Sequence, residues 1–246
     1  MASIRWTGED ASSEGSRERA FTVDRDGVAI PSVFWHPDIG GVPQPLVLIG
    51  HGGGEHKRND RMVALGTMLA RDYGWCAAAI DAPGHGDRGG VSAGDDAYAV
   101  LWRQDGVVEE TVEDWRATLD MLGQLGEVDS ALIGYWGLSQ GALFGIPYVA
   151  SDDRIVAAVL GRAGMTGRGA ELCASEPYLT QYAPSVEAPV LFAMQWDDEL
   201  FDRAGQFDLF DRIGSDDKRL HAYPGAHADS SPEALEVQAE FLGRYF

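Results

Sequence analysis

Short apolar runs recur along this chain with helical periodicity between them, and that alternation constrains the fold most. Leu46-Val47-Leu48-Ile49, Cys76-Ala77-Ala78-Ala79-Ile80, Ala131 to Trp136, Ile155 to Leu160 and Pro189 to Met194 are continuous rather than alternating. That is the pattern of strands buried on both faces. Between them, Met62, Leu65 and Leu69 mark a helix over 59–72, and Val108, Val112, Trp115, Leu119 and Leu122 mark one over 106–123. Further helices are expected over 140–150, where Pro147 would kink or end the helix, and over 201–213. A strand at 219–223 precedes a last helix that opens at Ser230-Ser231-Pro232-Glu233. Strands alternating with helices predict an α/β fold: a mostly parallel sheet with helices on both faces.

The flanks depart from that rhythm. Phe21-Thr22-Val23 and Val28-Ala29-Ile30 bracket the turn signal Asp24-Arg25-Asp26-Gly27, which predicts an antiparallel hairpin over 20–25 and 28–36. Residues 1–19 are rich in Ser, Glu and Arg and read as a flexible or loosely attached arm on a single domain spanning 20–246. Residues 161–188 have weak periodicity and read as a small helical insertion, including Glu176 to Tyr182.

Composition narrows the partners. A net charge of −20 over 246 residues repels nucleic-acid phosphates and anionic membranes, so neither is an expected partner; oligomeric state stays open. Cys76 lies in an apolar run, as a buried thiol would, and nothing demands a disulfide with Cys173. The first twenty residues are polar, with no apolar core of a signal peptide, and no apolar run approaches membrane-spanning length. A cytoplasmic location is the default expectation.

In an open parallel sheet, ligands bind at the carboxyl ends of the strands. Suggestive groups collect at those ends: His51-Gly52-Gly53, Asp81, Ser139, Asp198 and His227. Ser139 stands in Gly137-Leu138-Ser139-Gln140-Gly141, between an apolar run and a small-residue helix start, which reads as strand, sharp turn, helix. In a glycine-rich chain the motif alone could be an inert turn, so its context decides. A serine hydroxyl needs a base, and the base needs an orienting group. His227 follows the last strand on a loop that can reach Ser139, whereas His221 alternates within the strand and reads as structural. Asp197, Asp198 and Asp202 follow the strand before it, while Gly161-Arg162-Ala163-Gly164 supplies no acid. The N–H of Gln140 and one from the loop at 52–54, foremost Gly53, are the candidate oxyanion donors.

These residues carry a resemblance. The order Ser139, Asp198, His227, the segment Gly50-His51-Gly52-Gly53-Gly54 and the segment Asp81-Ala82-Pro83-Gly84-His85-Gly86 resemble the α/β-hydrolase superfamily. The glycine loop particularly resembles that of the dienelactone-hydrolase-like and prolyl-oligopeptidase-like esterases. The resemblance implies an eight-stranded, mostly parallel sheet with a small lid insertion, and a serine hydrolase that cleaves carboxylic esters without cofactor or metal. Aligning the acid turn with Gly-x-x-Asp-x-x-Val sets Gln195, Asp198 and Phe201 at the matching positions, which favours Asp198 and leaves Asp197 as a rival. Trp102, Met165, Tyr178, Tyr182 and Trp196 are candidates for an apolar substrate pocket, with core packing as the equal alternative. Peptidase, thioesterase or lactonase chemistry, a metal site built on His51, His56 and His85 with Asp81 or Asp87, and a non-catalytic binding role are the rival readings.

Overall fold

A computed structural model describes residues 2–8, 10–13, 15–38 and 41–246. The elements run β1 (Ser3–Trp6), β2 (Ala11–Ser13), β3 (Ser16–Arg25), β4 (Val28–Pro37), β5 (Gln44–Gly50), α1 (Asp60–Asp72), β6 (Cys76–Ile80), α2 (Asp96–Trp102) and α3 (Val107–Leu122). They continue with β7 (Val128–Gly137), α4 (Gln140–Val149), β8 (Ile155–Gly161), α5 (Arg168–Cys173), α6 (Glu176–Tyr182), β9 (Val190–Gln195), α7 (Arg203–Arg212), β10 (Lys218–Tyr223) and α8 (Pro232–Leu242).

All the strands join one sheet in the order β1-β3-β4-β6-β5-β7-β8-β9-β10, with β2 also on β3. Pairing is parallel from β6 through β10 and antiparallel around β3 and β4. From β3 to β10 these are the eight strands expected. Two short N-terminal strands extend the sheet to ten among the described residues. The arm expected over 1–19 is therefore corrected: Ser3 to Trp6 pair with Asp24 to Phe21, and Ala11 to Ser13 pair with Glu18 to Ser16. Residues 1, 9 and 14 of that stretch lie outside the described residues.

The period of two along each strand divides the core. Leu46 and Leu48 of β5 pack on one face with Val112, Trp115 and Leu119 of α3. Val47 and Ile49 pack on the other with Met62, Leu65 and Leu69 of α1 and Phe241 and Leu242 of α8. Pro147 does not end α4 early, since the helix continues to Val149. The insertion between β8 and β9 holds α5, packed on α2, and α6, packed on α4. Cys76 and Cys173 are both free and buried. Among the described residues no helix is long and apolar enough to cross a membrane.

Candidate active site

The parallel strands β5 to β10 bring their carboxyl ends to one edge, and β7 delivers Ser139 there. Ser139 holds φ at 57° and ψ at −124°, a region that side chains other than glycine enter only when the surroundings enforce it. The enforcement is visible. Its N–H donates to the Gly161 carbonyl at 2.9 Å, and its carbonyl accepts from Ala142 and Leu143, both at 2.9 Å. The two glycines of the motif are required by close approach. A Cβ on Gly137 would strike the Gly141 carbonyl, and one on Gly141 would strike the Gly50 carbonyl.

His227 lies on the loop after β10. Its Nε2 is 2.9 Å from Ser139 Oγ, and its Nδ1 is 2.9 Å from Asp198 Oδ2. With the carboxylate at Nδ1, that nitrogen carries the proton and Nε2 is left to accept from the hydroxyl. The Asp198 side chain is fully buried, and its Oδ1 accepts the N–H groups of Leu200 and Phe201 at 2.8 and 2.9 Å. Asp197 points away: its side chain is 64% exposed and lies 3.3 Å from Arg203. Asp202 stands at the start of α7, where its backbone carbonyl accepts the Gln206 N–H at 2.9 Å.

Three further side chains hold the His227 loop, and none was assigned a role from the sequence. Gln195, at the position that is often glycine in the family pattern, donates through Nε2 to the carbonyls of Ala226 and Asp229 at 3.2 and 2.7 Å. Glu199 Oε2 accepts the His227 N–H at 2.9 Å. Arg162 donates from Nη1 to the His227 carbonyl at 3.0 Å and from Nη2 to Ser230 Oγ at 2.9 Å. The only hint in the sequence was the departure of Gln195 from glycine.

Gly53 lies on the cavity wall beside Ser139, and Gln140 is the first residue of α4. Among the described residues neither N–H donates to a protein acceptor. Both donors are thus free for a developing oxyanion, and the α4 N-terminus adds partial positive charge. The other residues at the strand ends are structural. His51 donates from Nδ1 to the Gly52 carbonyl at 2.8 Å and accepts the Ala82 N–H at Nε2, 3.0 Å away. Burial, with His85 nearby, lowers its pKa to about 4, so it stays neutral. Asp81 is fully buried and accepts from the Lys57 backbone N–H at 2.9 Å, Lys57 Nζ at 2.6 Å and the Asp87 N–H at 2.9 Å. No group of three or more His, Cys, Asp or Glu side chains converges on a metal position among the described residues.

A cavity of about 290 Å³ opens at Ser139 and His227. Tyr98, Leu143, Leu172 and Phe201 form its apolar wall, and Arg61, Arg162, Arg168 and Glu55 its charged part. The expected pocket residues are elsewhere. Trp102 stacks on Phe144 at 4.3 Å in the core, and Met165 is 4% exposed within it. Tyr178 stacks on Trp102 from α6, Tyr182 packs against the same core, and Trp196 faces solvent under the Arg203 guanidinium. Large apolar groups between sheet and helices gain most by completing the core. The cavity instead took residues of α2, α5 and the turn before α7.

No family model matches the sequence, and a search of curated proteins finds no match. Among solved structures, the chain is similar to a cold-adapted esterase from an Arctic intertidal metagenomic library, seen in a PEG-bound complex. Identity is 34% and the TM-score 0.87, over 98% of this chain and 99% of that one. It also shares its fold with an acetyl xylan esterase from Paenibacillus sp. R4, at 17% identity and a TM-score of 0.75, over 100% of this chain and 89% of that one. A glucuronoyl esterase from Solibacter usitatus matches at 12% identity and a TM-score of 0.72, over 100% of this chain and 86% of that one. Full-length likeness at 34% identity, on a sheet whose strand ends assemble serine, histidine and aspartate, decides the family: the chain belongs to the esterases of the α/β-hydrolase fold.

Proposed function

We propose that this carboxylic ester hydrolase works through Ser139, His227 and Asp198 and an acyl-enzyme intermediate. The observation that carries the reading is the unbroken hydrogen-bond path from Asp198 through His227 to Ser139 Oγ. His227 Nε2 takes the hydroxyl proton as Ser139 Oγ bonds to the acyl carbon. The carbonyl oxygen becomes an oxyanion, held by the N–H groups of Gly53 and Gln140; each such donor is worth about 100- to 1000-fold in rate. The tetrahedral species collapses, the C–O bond to the alcohol breaks, and His227 returns its proton to the departing alkoxide. Water then attacks the acyl-enzyme, giving a proton to His227, and the acid leaves as Ser139 recovers its hydrogen. Asp198 fixes the tautomer and stabilises the imidazolium throughout.

The cavity of about 290 Å³ suits the acyl or alcohol part of a small or medium-sized ester. The strongly acidic chain favours small-molecule esters over nucleic acids as ligands. The test is hydrolysis of ethyl esters from acetate to octanoate by the wild type and Ser139→Ala. The variant should lose at least about 10,000-fold in kcat/KM. Activity retained by Ser139→Ala would refute the assignment.

A further inference from the structure

The charge around Ser139 runs against the charge of the chain. There are 39 acidic and 19 basic residues, yet the cavity is lined by Arg61, Arg162 and Arg168 and by a single acid, Glu55. Glu55 only partly offsets them: its Oε2 accepts the Gly52 N–H at 2.8 Å, and its Oε1 is 3.4 Å from Arg61 Nε.

Arg162 is the most telling of the three. It is 3% exposed, and its backbone sits at φ 46°, a costly conformation for a residue other than glycine. Its hydrogen bonds go to two neutral oxygens, the His227 carbonyl and Ser230 Oγ, and its buried Nε has no partner. The carboxylates that face it, Asp198, Asp229 and Glu55, act from beyond ion-pair distance, while Arg61 opposes it as a like charge. Burial and Arg61 lower its pKa to about 10, which leaves it charged at neutral pH. A buried cation without an ion-pair partner is costly. Arg168 is exposed and has no ion pair or hydrogen bond among the described residues. It is the first residue of α5, where the helix dipole disfavours a cation. Its charge therefore does not serve its own helix.

We infer that the cavity selects esters carrying a second, free carboxylate, which the exposed Arg168 and the half-buried Arg61 receive in the field of the buried Arg162. The inference rests on the proposed function, since it concerns the substrate of that same site. Guanidinium groups match a carboxylate in geometry as well as charge. The low-dielectric floor beneath Arg162 makes its charge count for more than a surface cation would.

The test uses two anionic esters and their neutral isosteres. Monoethyl glutarate is paired with ethyl valerate, and 4-acetoxybutyrate with butyl acetate, so the carboxylate lies on the acyl side in one pair and the alcohol side in the other. The wild type should prefer the anionic member of at least one pair by about tenfold in kcat/KM, the effect of one charge-assisted hydrogen bond. Arg168→Gln should reduce that ratio by about five- to tenfold, and Arg168→Glu should reduce it further. Because both esters are read on the same protein, a loss of folded fraction cancels from the ratio. Ratios at or below one in both pairs, or a ratio unmoved by both Arg168 variants, overturn the inference. If neutral esters are then still cleaved and Ser139→Ala abolishes it, the triad assignment stands alone. Failure to cleave any of the four overturns both.

Discussion

Asp197 and Asp198 share a peptide bond and have opposite surroundings. The first is an exposed partner of Arg203 and the second is buried against His227. Asp198→Asn keeps the shape but presents an amide to Nδ1, favouring the wrong imidazole tautomer. A fall in kcat of about 10,000-fold is expected. Asp197→Asn should stay within about twofold, because an exposed ion pair contributes little. Steady-state kinetics on both variants checks the assignment, and a larger loss at Asp197 would reverse it. At this scale the serine and histidine were legible because Ser139 follows an apolar strand in a glycine-flanked turn and His227 lies on the loop after the last strand. The acid was legible only to within one residue, because both aspartates fit the turn and burial alone separates them. Gln195 was not legible: it acts on carbonyls of Ala226 and Asp229, a loop that only the β9–β10 pairing brings beside it. Of the two alternatives left open for the aromatic candidates, Trp102 and Tyr178 took core packing, because an aromatic on a helix near a cleft can equally face the core, as Trp102 does on Phe144.

Among the elements, the buried parallel strands were legible almost to their ends. An unbroken apolar run such as Cys76 to Ile80 has few other uses. β1 and β2 were not. Both are short: β2 is polar and exposed, held by its pairing with β3, while β1 sets only Ile4 and Trp6 on the core, with Trp6 5.4 Å from Phe21. The ends of β5 and β6 are joined by His51, whose two ring nitrogens bridge Gly52 and Ala82. This tie makes stability depend on pH. The His51 pKa is lowered from 6.5 to about 4 in the folded protein. As pH falls, the unfolded chain takes up the proton first. The contribution is complete above the unfolded value of 6.5 and is lost progressively as pH falls towards about 4. At most it amounts to about 3 kcal/mol. Chemical denaturation between about pH 7 and pH 4 should show a smaller drop in unfolding free energy for His51→Gln than for the wild type. Equal drops would contradict a neutral buried His51. The variant can both accept from Ala82 and donate to Gly52, and the effect of the acidic surface is common to both proteins.

For the whole molecule, the net charge of −20 describes the surface and says little about the catalytic cavity, where arginines outnumber acids. Composition averages over the chain, so a local reversal of sign appears only when the fold brings Arg61 of α1 beside Arg162 and Arg168, at the two ends of the β8–α5 connection. In the proposed mechanism Ser139 is a nucleophile activated by His227. Labelling with a fluorophosphonate, followed by intact-mass analysis and peptide mapping, is the decisive measurement. The wild type should carry a single adduct on Ser139, with labelling strongly slowed in His227→Ala. Full ester hydrolysis by protein that takes no label, or an adduct on any other residue that accounts for the loss of activity, would contradict it.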